Sequence, residues 1–162
     1  CSKDDTTPDG GKDNGKDQVS TDNSLRNFSF TTASNPSLGQ NCTSIENGTT
    51  IYITVPEGVS LASLVPTFKV HEKATVIVGS TTVQSGSTSV DFSNTVTITV
   101  TAENGTKRYY TILAKNGNAA IDSKVYSFMI EHEIPGVSVA ISADEDIVYT
   151  SAYGFADQLG SQ

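Results

Sequence analysis

The sequence predicts a mainly β fold, an antiparallel β-sandwich followed by a short helix and a β-hairpin. Across 25–115, hydrophobic residues alternate with polar ones, which is the pattern of strands that bury one face and expose the other. Asn-Gly pairs at 47–48 and 104–105 stand between such runs, and this pair favours tight hairpin turns. The chain has no Trp, and 17% of its 162 residues are charged. Its abundance of Thr, Val and Ile favours strands over helices.

The first predicted strands supply one part of the sandwich core. Phe28 and Phe30 lie two residues apart and therefore share a face of their strand. A hairpin is expected to join 41–45 to 49–55. The predicted core positions of its second strand are Ile51, Ile53 and Val55. We expect a brief helical turn over 60–64.

The later strands complete the predicted sandwich. Strands are expected around Phe68, Val76 and Val83, and the clearest hairpin joins 95–102 to 106–114. The inward-facing positions of this hairpin are Val96, Ile98, Val100, Ala102, Tyr110, Ile112 and Ala114. About seven short strands in about 90 residues are typical of a β-sandwich. We therefore predict an independently folding domain over 25–115.

The first 24 residues differ sharply in composition from the rest of the chain. Residues 1–24 contain six Asp, three Lys and three Gly, with Val19 as their only large aliphatic residue. Such a segment cannot bury enough apolar surface to offset its ordering entropy, so we predict a disordered tether. A flexible coil of this length spans about 25–30 Å on average. The Asp and Gly residues over 9–17 do not follow the EF-hand calcium pattern, and no metal or cofactor site is predicted.

The charge balance limits the partners of the chain. A formal net charge of −8 and a pI near 4.5 argue against nucleic acid, whose phosphates require clustered Lys and Arg. No apolar run approaches the roughly 18 residues of a membrane-spanning helix. Cys42 lies in a predicted strand and is interpreted as a small buried thiol rather than half of a disulfide. We expect a monomer.

The N-terminal residues resemble the mature start of a bacterial lipoprotein. The chain begins Cys1-Ser2-Lys3-Asp4-Asp5, which is similar to lipoproteins exported to the surface of certain Gram-negative anaerobes. The resemblance implies a chain processed by signal-peptide removal, with Cys1 as the lipid attachment residue. More than one acyl chain is enough for stable anchoring. The resemblance thus implies an outer-membrane, cell-surface protein whose membrane contact is its N-terminal lipid.

The alternating region resembles a class of bacterial surface module. The segments that carry the resemblance are 50–58, 64–68, 91–93 and 97–106. They are similar to Ig-like, cadherin-like domains near the N-termini of surface lipoproteins, and the similarity covers nearly all of 25–115. Domains of that class serve as spacers or presentation modules and have no catalytic residues. Antibody-type Ig is excluded, because the chain has no Trp and only one Cys in this region.

The last third of the chain is predicted to form a helix followed by a hairpin. The helix is expected over 119–133, and strands over 137–141 and 146–157 meet at a turn over 143–146. The predicted apolar stripe of the helix comprises Ile121, Val125, Phe128 and Met129. The connection at 116–118 is short, so this unit is expected either to dock on the sandwich or to be partly disordered.

The order of these elements resembles the start of a family of serine hydrolases. A helix, Ile134-Pro135-Gly136 and a hairpin ending in Tyr-Gly-Phe-Ala-Asp at 153–157 are similar to the opening of the β-lactamase and penicillin-binding-protein-like enzymes. Catalysis in that family uses Ser-x-x-Lys, Tyr-x-Asn or Ser-x-Asn, and Lys-Thr-Gly. None of these motifs occurs in the sequence. We therefore expect 119–162 to be the N-terminal fragment of a hydrolase domain, with catalysis in a longer parent protein.

Individual candidates for catalysis lack partners in the sequence. A serine nucleophile needs a base within hydrogen-bond reach. No lysine stands one helical turn after any serine of the last third, namely Ser123, Ser127, Ser138, Ser142 and Ser151. The two histidines, His71 and His132, are far apart in sequence. The sequence predicts no catalytic residue.

Three functions are compatible with these patterns. The chain is expected to be a non-catalytic spacer or presentation module of a lipid-anchored surface protein whose parent is a β-lactamase-related serine hydrolase. The alternative is an adhesion module that binds surface or cell-wall glycan or protein, and a third is a purely structural stalk. Glycan modules commonly expose aromatic rings, and only Tyr52 and Tyr109 are predicted to face outward. Both are interpreted as cross-strand packing residues.

Overall fold

The computed structural model of the chain describes residues 19–154. Cys1, most of the predicted tether and the end of the last predicted strand lie outside these residues. Within them the chain forms ten strands, one α-helix and a 3-10 helix over Pro36–Leu38. The strands are β1 Arg26–Phe30, β2 Cys42–Asn47, β3 Thr50–Val55, β4 Pro66–Lys69, β5 Thr75–Val78, β6 Thr81–Thr82, β7 Val96–Thr101, β8 Lys107–Asn116, β9 Gly136–Ala143 and β10 Asp146–Gly154, and helix α1 is Ala119–Glu131.

Eight strands form one curled sheet in the order β4-β1-β2-β3-β8-β7-β5-β6. The start of β2, at Cys42 and Thr43, pairs with β1, whereas its continuation from Ser44 to Asn47 pairs with β3. Strand β2 therefore passes from one layer to the other, and the sheet closes over its own core. The predicted fold class, a mainly β Ig-like sandwich followed by a helix and a hairpin, is confirmed. One pairing departs from the antiparallel prediction, because β3 and β8 run parallel.

The core between the layers is where the alternation places it. In β3, β7 and β8 the predicted inward residues are buried except Ala114, which is partly buried, and Ile51, Ile98 and Ile112 are each at most 1% exposed. Phe28 and Phe30 of β1 meet Phe92 in edge-to-face contacts, and the Phe30 and Phe92 ring centroids are 5.0 Å apart. Such contacts add to the free energy of burial.

Two local predictions for the sandwich differ from the structure. The segment over 60–64 is a turn without helical structure, and Leu64 ends it by forming an isolated bridge to Val90. Strand β8 extends to Asn116, two residues beyond the predicted end. The Asn116 side-chain amide donates to the carbonyls of Pro56 and Val59, both at 2.9 Å. These long-range bonds hold the end of β8 against the loop after β3.

The helix begins where predicted and ends at Glu131, two residues earlier than predicted, and its buried face was predicted only in part. Asn118 is the N-cap, and its side chain accepts hydrogen bonds from the amides of Ala120 and Ile121, as expected for this position. The residues of α1 that are buried are Asp122, Tyr126 and Met129. Phe128, predicted in the apolar stripe, is 50% exposed. The buried Asp122 carboxylate has hydrogen-bond partners in the neighbouring elements, which a hydrophobic pattern cannot reveal.

The hairpin β9–β10 turns where the sequence predicts. Asp144 and Glu145 form the turn with φ of 51° and 71°, the left-handed conformation that two-residue hairpin loops favour. The hairpin is a separate two-stranded sheet, yet Val137, Val139 and Tyr153 join a hydrophobic cluster with α1 and the outer face of the sandwich. Of the two alternatives that the sequence left open, the structure shows the docked one.

Candidate functional site

The helix and hairpin dock on the sandwich through three tyrosines. Tyr52 points from β3 to the outer face of the sheet and stacks on Tyr126 of α1, with ring centroids 4.4 Å apart and an interplanar angle of 24°. Tyr153 of β10 meets Tyr126 edge-on at 5.3 Å. Tyr52 thus faces outward as predicted, but its packing partner is Tyr126 of α1 rather than a cross-strand residue, and α1 leaves it 8% exposed. Tyr109 does face solvent, at 59% exposure.

A buried carboxylate ties the same three elements together. Asp122 of α1 is 0% exposed and accepts hydrogen bonds from Thr54 of β3 at 2.8 Å, from Tyr149 at 2.7 Å and from Tyr153. Lys115 of β8 lies 3.4 Å from the carboxylate, and its Nζ is 3.6 Å from the centre of the Tyr153 ring. A buried charge with this many partners is stable in place, and removing one partner is costly.

The surroundings of Asp122 and Lys115, the two charged residues of this network, shift the pKa of each. Burial opposes ionisation of Asp122, but hydrogen bonds from Tyr153, Tyr149 and Thr54 outweigh it and hold the pKa of the carboxyl below its ordinary 3.8. Burial lowers the pKa of Lys115, while Asp122 opposes that shift. The carboxylate therefore contributes stability that is present above pH 3.8 and is lost as the pH falls through its lower folded-state pKa.

The buried tyrosines predict an alkaline limit to stability. Burial raises the pKa of Tyr52, Tyr126 and Tyr153 above the ordinary value of 10.0, and for Tyr153 the bond to Asp122 adds to this. Unfolded tyrosines ionise near 10, so their contribution is present below pH 10 and lost as the pH rises above it. We expect the free energy of unfolding to fall between pH 9 and pH 11, and to fall less steeply in Tyr126→Phe. Urea titrations with phenolate absorbance check this, and identical pH dependence in both proteins would contradict it.

A groove runs along α1 on both sides of the tyrosine stack. One cavity of about 440 Å³ lies between the C-terminal half of α1 and the β2–β3 turn, and a second of about 300 Å³ lies between its N-terminal half and β2. Tyr52 and Tyr126 line both cavities, so the two cavities flank the tyrosine stack. We call this feature the tyrosine groove. Ligand pockets commonly have volumes of about 300–1,000 Å³.

The groove is lined by uncharged polar groups. Besides Tyr52 and Tyr126, its polar side chains belong to Gln40, Asn41, Thr43, Asn47, Thr50, Thr54, Ser123 and Glu133. Among the described lining residues, Glu133 is the single charged one. Met129, Ile134 and Pro135 supply apolar surface at the C-terminal end of the groove. The lining therefore offers hydroxyl and amide groups beside apolar surface, with no cation to hold an acidic ligand.

The serines and histidines singled out in the sequence do not assemble into a catalytic group. Ser123 donates to the carbonyl of Ala120 within α1, and the His132 ring packs against Phe128 at 4.4 Å. Ser151 has a lysine partner from a distant strand, because Lys115 of β8 donates to its hydroxyl. That lysine is paired with Asp122, and as the donor of this bond it holds its proton rather than accepting one from the serine.

Cys42 and His71 were also singled out in the sequence, and both lie within the described residues. Cys42 is 5% exposed, and burial raises the pKa of its thiol, as the prediction of a buried thiol requires. His71 accepts the Lys73 amide through Nδ1. Cys1, the predicted lipid attachment residue, lies outside the described residues. Over 19–154 no three His, Cys, Asp or Glu side chains are grouped to hold a metal ion. Over the same residues, no helix is long and apolar enough to cross a membrane.

Comparison with known protein families identifies a family that matches the sandwich. The family described as "SGBP, N-terminal" matches residues 28–113, more than half of the 162 residues. The chain belongs to the SGBP N-terminal family. This is a family of surface modules associated with glycan binding. The part that matches runs from β1 into β8, so the SGBP N-terminal region coincides with the sandwich and ends before α1.

Solved structures from Bacteroides are similar to this SGBP N-terminal chain over about two thirds of its length. A protein of Bacteroides thetaiotaomicron described as "a putative glycoside hydrolase" is 21% identical, with 67% of this chain and 30% of that one covered and a TM-score of 0.40. A "putative secreted protein" of Bacteroides fragilis is 16% identical over 62% of this chain and 97% of its own, with a TM-score of 0.39. The chain thus spans less than a third of the first of these proteins. No curated protein matches it.

Proposed function

We propose that this chain is a glycan-binding module of an exported, cell-surface protein. The observation that carries the proposal is the family match over residues 28–113. The tyrosine groove supports it, because its lining of hydroxyl and amide groups suits a ligand rich in hydroxyls. The net charge of −8 also suits a neutral partner better than an acidic one, since like charges repel.

Electrophoresis in native gels that contain soluble polysaccharides tests this function. The full chain is compared with a protein of similar size and charge that binds no glycan. We expect at least one neutral polysaccharide to retard the chain and not the comparison protein. Equal mobility of both proteins across gels of neutral and acidic polysaccharides would contradict the proposal.

Attachment to the outer membrane is a second part of the proposal. The start at Cys1 with Lys3-Asp4-Asp5, followed by an Asp- and Gly-rich segment, supports a lipid on Cys1 and a tether over 1–24 that holds the sandwich away from the membrane. Expression of the precursor with Cys1→Ala should move the protein from the membrane fraction to the soluble fraction. If the variant still sediments with membranes, the anchor lies elsewhere.

A spacer in a serine hydrolase is the second candidate function. The structure supports it in one respect: α1 leads through Ile134-Pro135-Gly136 into the β9–β10 hairpin, in the order that the resemblance to β-lactamase-like enzymes implies. On this candidate 25–115 presents a catalytic domain that begins at 119. Sequencing the coding region beyond residue 162 decides it, because a hydrolase requires a downstream Ser-x-x-Lys. A reading frame without one would exclude it.

A further inference from the structure

We propose that the tyrosine groove is a binding site for a neutral oligosaccharide, held chiefly by the hydroxyl groups of Tyr52 and Tyr126. This inference rests on the function proposed above and names the site and the class of ligand. Three features of the groove support it: the open tyrosine hydroxyls, its length and its charge.

The two tyrosines are buried, yet their hydroxyls are free. Tyr52 and Tyr126 are 8% and 4% exposed, and the pKa of Tyr52 is raised by burial alone, with no contribution from a hydrogen bond. Over the described residues, no fully buried side-chain nitrogen or oxygen lacks a partner, whereas neither tyrosine hydroxyl forms a hydrogen bond there. The two hydroxyls must therefore be reached by solvent, beside the cavities that both residues line. A hydroxyl that solvent reaches bonds to water, and a ligand hydroxyl can replace that water.

The shape of the groove fits a chain of sugar units. Helix α1 has 13 residues, and at 1.5 Å per residue it is about 20 Å long. The cavities adjoin both of its ends, since one is lined by Ala119 and the other by Glu133. Two cavities that follow one helix and share Tyr52 and Tyr126 suit a short oligosaccharide better than a compact molecule.

The charge of the groove selects against acidic glycans. Glu133 lies at one end, and the described lining contains no Lys, Arg or His to balance it. A uronate or sulfate would meet this carboxylate without a compensating cation, and like charges at close range are unfavourable. Neutral hydroxyls, in contrast, can pair with Asn47, Thr50, Gln40 and Ser123, which line the cavities.

Titration of the full chain with defined oligosaccharides, followed by amide chemical shifts, tests the site. The probes are neutral hexasaccharides of glucose, xylose and mannose, with hexagalacturonate as the acidic counterpart. We expect at least one neutral probe to shift the amides of Asn47, Thr50 and Glu133, and hexagalacturonate to leave them unchanged. Stronger binding of hexagalacturonate would overturn the assignment of a neutral ligand.

The matched variants are Tyr52→Phe, Tyr126→Phe and the double variant. Each keeps its ring, and the missing hydroxyl has no internal partner, so the melting temperature should be retained. Loss of one neutral hydrogen bond corresponds to about a fivefold weaker affinity, and loss of both to about 25-fold. Tyr109→Phe, on the exposed face of β8, serves as the control and should bind as the wild type does.

These experiments test the proposed site and the proposed function separately. If a glycan binds but the double variant retains wild-type affinity, the groove is not the site, while the proposed function stands. If no oligosaccharide or polysaccharide binds the full chain, both the site and the proposed function are wrong. Weakened binding in the double variant, with an unchanged melting temperature, supports the groove.

Discussion

Replacing Asp122 with alanine should lower the free energy of unfolding by about 3–5 kcal/mol, the usual cost of breaking a buried ion pair by removing one partner. The variant leaves Lys115 without its counter-ion and deprives Thr54, Tyr149 and Tyr153 of their shared acceptor. These groups come from the sandwich and from the hairpin, so the loss should fall on the interface between them. Urea denaturation followed by far-ultraviolet circular dichroism measures the change.

A matched control for Asp122→Ala is available on the same helix. Glu131 is exposed at the end of α1, and Glu131→Ala should change stability by no more than about 0.5 kcal/mol. Amide exchange in α1 should increase in Asp122→Ala and not in Glu131→Ala. A cost below about 1 kcal/mol for Asp122→Ala would mean that the carboxylate network does not hold the docked unit in place.

Replacing Phe30 with alanine should lower the free energy of unfolding by about 3–5 kcal/mol, the range measured for large-to-small changes of a buried Phe. Phe30 is 0% exposed and contacts Phe28 and Phe92 edge-on, so its removal leaves a cavity between the two layers. The destabilisation should appear as a lower urea midpoint for the whole sandwich.

The control for Phe30→Ala is the same substitution at an exposed ring. Phe128 of α1 is 50% exposed, and alanine is the best helix former. Phe128→Ala should therefore cost about 1 kcal/mol or less. Equal costs at the two positions would show that Phe30 does not lie in the principal core.

The parts of the fold that follow from local pattern are those in which one face of a strand is buried. Alternation identified the inward residues of β3, β7 and β8, because side chains on a strand point to opposite faces in turn. The position of the β9–β10 turn at Asp144 and Glu145 was also predicted from the sequence. The parallel pairing of β3 with β8 and the passage of β2 between layers depend on contacts between distant segments, and no short pattern encodes them.

Hydrophobic patterns in the sequence did not reveal the candidate site, because polar residues form much of it. Asp122, Tyr126 and Met129 fall on one face of α1, but hydrophobicity alone favoured Phe128 over Asp122. Partners from β3, β8 and β10 make the burial of Asp122 favourable, since an unpaired buried charge is strongly disfavoured. The sequence contains a Tyr in β3 and an Asp-x-x-x-Tyr in α1. These residues indicate a shared site only when the two elements are known to face each other.

The central claim is that the sandwich and the docked helix together build a glycan site that neither has alone. The most direct measurement compares the full chain with a chain that ends at Asn118, using the affinity of each for one neutral polysaccharide. The shortened chain lacks α1 and the hairpin but retains β1–β8. We expect it to remain folded, with a lower melting temperature, and to lose binding. Equal affinity of the two chains would place the site elsewhere, and unfolding of the shortened chain would refute an independent domain over 25–115.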